Sequence, residues 1–195
     1  MTSRAPALRL AVLASGAGSN LRHLVREGFN VVAVGTNRPA CGAAQFAREQ
    51  GLSLGVFRQR DYGSSAERDL ALAAWLTSLR VELVVNAGYD RILAPGFVAQ
   101  FAGRIINLHP SLLPAFAGGM DAVQRALDAR VKVTGCTVHL VTDEVDAGPI
   151  LIQAAVPVLE GDSVATLHER IHQEEHRILA EAIRLLAQKS PSLSS

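Results

Sequence analysis

Five short apolar runs punctuate the first 110 residues: 10–14 (LAVLA), 30–36 (NVVAVGT), 53–57 (SLGVF), 82–88 (ELVVNAG) and 104–109 (RIINLH). Each has the length and apolar character of a buried strand. Between them, residues 19–27, 42–50 and 65–79 repeat apolar positions at helical spacing. Strand and helix alternating in this way predict right-handed crossover units, hence a mostly parallel twisted sheet with helices on both faces.

The rhythm changes after Pro114. A helix-like stretch at 120–129 precedes two strand patterns, 132–141 and 149–158, joined by an acidic loop short enough for antiparallel pairing along one edge. A long helix over 163–188 comes next, with Asp162 or Ser163 as its N-cap, and 191–195 reads as a loose tail. No repeat, linker or composition break interrupts the chain. The expected architecture is one α/β domain over 1–195 of Rossmann-like type, with antiparallel edge strands in its C-terminal part.

Composition narrows the class. At 195 residues, 49% hydrophobic and net charge +1, the chain can bury a core, and it lacks the charge excess of a disordered segment or a nucleic-acid binder. Cys41 and Cys136 stand far apart, without the paired spacing of a disulfide framework or a zinc knot, so a reducing, cytoplasmic setting is expected. The first residues loosely mimic a signal peptide, but Arg9 leaves only 10–14 as an apolar run, shorter than such a segment needs. No stretch approaches the roughly 20 apolar residues of a membrane span.

Two places carry candidate chemistry. Residues 15–20 (SGAGSN) link the first strand to the first helix, where glycines let a backbone turn and aim N–H groups at an anion. The stretch is not a dinucleotide fingerprint: Leu21 occupies the third glycine position, and the second strand ends in Thr36 and Asn37 rather than an acid. No Gly-Lys-Ser/Thr comes after it either, which excludes a P-loop. Two readings remain level: a phosphate cradle built from Gly18, Ser19 and Asn20, or a tight turn capped by Ser19 or Asn20.

The second place is the run INLHPSLLPAF, which closes at Phe116. Asn107 and His109 are two apart near a strand end, so their side chains share a face at the carboxyl edge of the sheet, where ligands bind in open parallel sheets. Pro110 and Pro114 stiffen the backbone beyond the strand. A carboxamide can donate to a developing oxyanion, and an imidazole can serve as acid or base near neutral pH. A carboxylate beside that imidazole would stabilise its charged form. The loop in VTDEVDAGPI (141–150) offers Asp143, Glu144 and Asp146.

INLHPSLLPAF together with VKVTGCTVHLVTDEVDAGPILIQ closely resembles the folate-dependent glycinamide ribonucleotide formyltransferases, and the likeness extends from VLASGAGSNL to EEHRIL. Methionyl-tRNA formyltransferases share the Asn-x-His and Ser-Leu-Leu-Pro parts but are longer and lack this glycine loop. Formyltetrahydrofolate hydrolases carry an extra N-terminal domain and a second histidine where this chain has Pro110.

The resemblance implies transfer of a formyl group from 10-formyltetrahydrofolate, as co-substrate, to the amine of glycinamide ribonucleotide. It implies a catalytic trio: Asn107 holding the intermediate's oxygen, His109 as general acid, Asp146 keeping His109 charged. It favours the cradle reading of Gly18, Ser19 and Asn20, and matches Glu175 to a glutamate that contacts the ribonucleotide. Folate recognition falls to Arg91, Ile92 and Leu93, and to the loop Thr142, Asp143, Glu144, Val145 and Asp146. The chain is then a monomer or homodimer acting on small molecules, with no nucleic acid, membrane or metal. Tyr89 and Asp90 depart from the family's Phe-Met, and the family arginine near the start of the third helix has only Arg68 nearby. The segment 117–122 has no clean match. A hydrolase or another folate-dependent formyltransferase is the alternative. HQEEH (172–176) also fits a zinc-peptidase pattern, His172-Glu175-His176, as a remote rival, with His168 one turn earlier.

Overall fold

The computed structural model describes residues 8–189, so the expected tail at 191–195 lies outside the described residues. Seven strands form one sheet: β1 Leu10–Leu13, β2 Val31–Thr36, β3 Ser53–Val56, β4 Leu83–Asn86, β5 Ile105–His109, β6 Val133–Leu140 and β7 Ile150–Pro157. Their order is β3-β2-β1-β4-β5-β6-β7. From β3 to β5 every neighbour is parallel, and β6 and β7 add antiparallel on the far edge. All seven strand patterns are therefore real, trimmed by a residue or two at their ends.

The helices are α1 Ser19–Arg26, α2 Gly42–Glu49, α3 Ser65–Ser78, α4 Pro95–Gln100, α5 Ala122–Asp128 and α6 Val164–Lys189. Alternation along β1 distributes them. Leu10, Val12 and Ala14 enter a core with α1, α2, α5 and α6, whereas Ala11 and Leu13 enter a second core with α3 and α4. Side chains such as Leu13 and Leu21 are fully buried, each worth roughly 1.5–3 kcal/mol against exposure. Ser163 caps α6 by accepting from the Thr166 N–H, while Asp162 ties the Leu159 N–H and Arg170.

Helix α4 was not legible in the apolar pattern. It has six residues, too few to display a helical period, and its signal is local: Pro95 at its first position supplies a preset φ. What holds it is tertiary. Phe97 and Phe101 bury against α3 with ring centroids 5.1 Å apart.

Arg68, in the first turn of α3, is turned into the protein. It is 2% exposed, and its guanidinium donates to Asp69 at 2.7 and 2.9 Å, to Gln59 and to the Ile92 carbonyl. Asp69 in turn accepts from the Ala94 N–H at 2.7 Å. The pair therefore pins the 92–94 backbone to α3 and does not reach into the cleft. Removing one member of a buried pair strands the other charge, so Asp69→Ala should lower unfolding free energy by about 3 kcal/mol or more in urea titration. A loss under about 1 kcal/mol would mean that the pair does not anchor this segment.

Candidate active site

The chain runs outward from β1 to β3 and returns to β4, so strand order reverses between β1 and β4, and a crevice opens above their carboxyl ends. A cavity of about 630 Å³ occupies it. The residues that the resemblance assigns to catalysis and substrates all line this one cavity: the Gly18–Asn20 loop, Arg91 to Leu93, Asn107 and His109, Thr142 to Asp146, and Glu175 from α6.

Gly18 makes the turn into α1 with φ 77°, and an added Cβ would sit 2.8 Å from Ala43 Cα. Only glycine fits there. Neither Ser19 nor Asn20 is the cap: Gly18 takes the N-cap position with no side-chain cap bond, and both residues lie in the first helical turn. Their first-turn N–H groups lack intrahelical partners and stay free for an anion. The Asn20 amide donates to Glu175 Oε2 at 3.3 Å, joining α1 to α6.

At the middle of the cavity stands Asp146. Its Oδ2 lies 3.3 Å from His109 Nδ1 and accepts from the Gly118 N–H at 2.8 Å. Oδ1 accepts from the Asn107 amide at 3.2 Å and lies 3.5 Å from His139 Nε2. Burial alone would push this carboxyl up, but the His139 and Gly118 hydrogen bonds and the two imidazole charges hold it below the usual carboxylate range. His109 Nε2 faces the Phe116 carbonyl at 3.1 Å, so both its ring nitrogens meet acceptor oxygens.

Two loops deliver these groups. The segment after β5 is tied to the antiparallel edge: Thr137 accepts from the Leu113 N–H and donates to the Ser111 carbonyl, and Gln153 donates to the Leu113 carbonyl. That anchoring brings Phe116 back onto His109. The acidic loop between β6 and β7 turns Asp146 inward at φ 55°, a left-handed conformation that aspartate tolerates better than most residues. Gly148 allows the approach, since a Cβ there would collide with the Leu140 carbonyl oxygen.

His139, assigned no chemistry from its sequence context, is 2% exposed and sits directly across the ladder from Asn107, with its Nε2 3.1 Å from the Asn107 amide nitrogen. Its alternation within an apolar strand was visible; its partner was not, because register between strands 32 residues apart is a tertiary property. Asp90 lines the cavity beside the folate-expected residues, accepting from Ser15, Asn37 and Arg38, with Arg91 Nε 3.6 Å from its Oδ1. Tyr89 is buried, and burial pushes its hydroxyl up to about 12. Arg91, with Arg38, Arg58 and Arg60, rims an adjoining cleft of about 720 Å³.

On α6 the histidines divide. His168 and His172 line the cavity, and His172 Nε2 lies 3.3 Å from Glu175. His176 turns away to stack on His23, ring centroids 4.5 Å apart. The set of the remote rival reading, His172-Glu175-His176, is thus not the one that converges; among the described residues, His168, His172 and Glu175 bring ligand atoms within 4.8 Å of one another. No helix among the described residues is long and apolar enough to cross a membrane.

Known proteins resemble this chain along nearly its whole length. The profile of the family described as formyl transferase matches residues 8–183. A phosphoribosylglycinamide formyltransferase of Mycobacterium tuberculosis is 48% identical over 188 residues, covering 94% of this chain and 86% of its own length. The trifunctional purine biosynthetic protein adenosine-3 of Gallus gallus is 42% identical over 92% of this chain, which spans 18% of that larger protein. A crystal structure of glycinamide ribonucleotide transformylase 1 from Symbiobacterium toebii superposes with a TM-score of 0.92 at 45% identity, covering 97% of this chain and 92% of its own.

Burial pushes the Glu175 carboxyl up, against the opposing pull of the Asn20 hydrogen bond and the His168 charge. A carboxyl raised in the folded state favours folding below its unfolded value of about 4.3 and loses that advantage as pH climbs through the folded value. Glu175→Gln should therefore raise the thermal midpoint of the ligand-free protein at pH 7, with the gain shrinking as pH falls towards about 4. A lower midpoint at pH 7 would show that the ionised carboxylate is stabilising.

Proposed function

The chain belongs to the formyl transferase family, and from that premise we propose that it transfers a formyl group from 10-formyltetrahydrofolate to the amine of glycinamide ribonucleotide, with His109, Asn107 and Asp146 as its catalytic groups. The transferase activity in purine biosynthesis is the one for which its relatives are named. The observation that carries the residue assignment is the Asp146 carboxylate within 3.3 Å of His109 in a cavity that also receives the Gly18–Asn20 loop.

In this reading the ribonucleotide phosphate rests on the Gly18, Ser19 and Asn20 N–H groups, with Glu175 beside its sugar or amine. The folate lies against Arg91, Ile92 and Leu93 and the 142–146 loop, where the exposed side chains of Ile92 and Val145 offer apolar surface at the mouth. The amine attacks the formyl carbon, and negative charge develops on the formyl oxygen. Asn107 carries two amide N–H groups; one remains with Asp146 while the other turns to that oxygen. His109 gives its Nε2 proton, held until then by the Phe116 carbonyl, to the departing folate nitrogen. The proton lost by the amine restores the imidazole through water near Asp146. No step calls on a metal. Both cysteines are free thiols, which suits a reducing compartment such as the cytoplasm.

His109→Ala and Asp146→Ala should each lower kcat by about 100-fold or more with folding intact. Near-normal turnover in either removes that residue from the mechanism. Ser19→Ala or Asn20→Ala should raise the ribonucleotide KM more than they lower kcat, because a grip on a remote phosphate acts mainly in binding. Assaying formyl loss with and without the ribonucleotide tests the whole reading: release of formate in its absence would identify a hydrolase instead.

A further inference from the structure

We propose that α6 carries a divalent transition-metal site, in which His168, His172 and Glu175 bind an ion of the zinc class inside the main cavity. The three residues stand at i, i+4 and i+7, so one helix presents them in a single row. Their ligand atoms lie within 4.8 Å of one another, and the His168 and His172 rings are 4.3 Å apart at their centroids. Zinc bound at about 2.0–2.2 Å from nitrogen and oxygen needs ligand separations of roughly 3.3 Å, which side-chain rotation on a fixed backbone can reach.

The chemistry of the group favours a cation. Glu175 is 4% exposed, and its partners are the neutral amide of Asn20 and the edge of His172. Among the described residues no arginine or lysine pairs with it, so the carboxylate lacks a permanent counter-charge in a place where one is worth most. His172 is half-buried and both histidines border the open cavity, giving the ion an entry path and a free coordination position. The set is His-x3-His-x2-Glu with the carboxylate as a ligand. It differs from the peptidase pattern, whose second histidine, His176, is engaged with His23, and no hydrolysis is implied.

The site would have a consequence that rests on the proposed function. Glu175 and Asn20 belong to the ribonucleotide end of the cavity, so an ion bound there should compete with that substrate and not with the folate.

Equilibrium dialysis of the full chain against Zn2+, with Co2+ absorption as a second readout, tests the binding. One equivalent per chain is expected, with the visible bands of four-coordinate Co2+ and a zinc-dependent rise in thermal midpoint. His168→Ala, His172→Gln and Glu175→Gln should each weaken binding at least tenfold, whereas His23→Ala should retain it. Absence of stoichiometric binding with zinc in excess over protein, or unchanged affinity in His172→Gln and in His168→Ala, would overturn the site. Zinc that binds stoichiometrically yet leaves the ribonucleotide KM unchanged would overturn its placement at that end of the cavity. Zinc binding in a chain that transfers no formyl group to the ribonucleotide would leave the metal site standing and remove the functional reading instead.

Discussion

The Asp146 carboxylate, 10% exposed and ringed by the Gly118 N–H, the Asn107 amide and two imidazoles, is the contact on which the centre of this molecule depends. An ionised carboxylate in so enclosed a place is tolerable only when each oxygen is matched by donors. The match is supplied from three separate parts of the chain: β5, the loop after it, and β6. None of these segments alone could hold the charge. The arrangement is consequently a tertiary lock as well as a candidate catalytic centre, and the two roles draw on the same donors.

Around that lock the antiparallel edge has a specific task. Running β6 backwards sets His139 across from Asn107, and the loop after it leaves beside the start of β5, where the Val141 N–H donates to the Ile105 carbonyl, before Asp146 reaches back to His109. Thr137 and Gln153 then tie down the 111–113 backbone, so the groups facing Asp146 rest on rigid strands and on loops with fixed anchors.

Arg68 is consumed by Asp69 and backbone, and Asp90 by Ser15, Asn37 and Arg38, so both polar groups are satisfied within the protein. Arg68 on the Ile92 carbonyl and Asp69 on the Ala94 N–H hold the 92–94 backbone beside the cavity. The positive surface next to it comes from Arg38, Arg58, Arg60 and Arg91, which rim the neighbouring cleft.

Local pattern sufficed for much of this. Short apolar runs such as Leu10 to Ala14, helical spacing in the long segments and the short acidic link before Pro149 determined strand number, layering and the antiparallel edge, because burial of an apolar face forces those choices on any chain with that pattern. Asn107, His109 and Asp146 were legible through residue chemistry and a specific motif. Helix α4 was not, being shorter than the period that would reveal it. Nor were the pairing of His139 with Asn107 or the turning of His176 onto His23. Those depend on strand register, on loop anchoring and on which side of α6 meets α1. Such relations arise between residues tens of positions apart, and only packing in three dimensions brings them within a few ångströms.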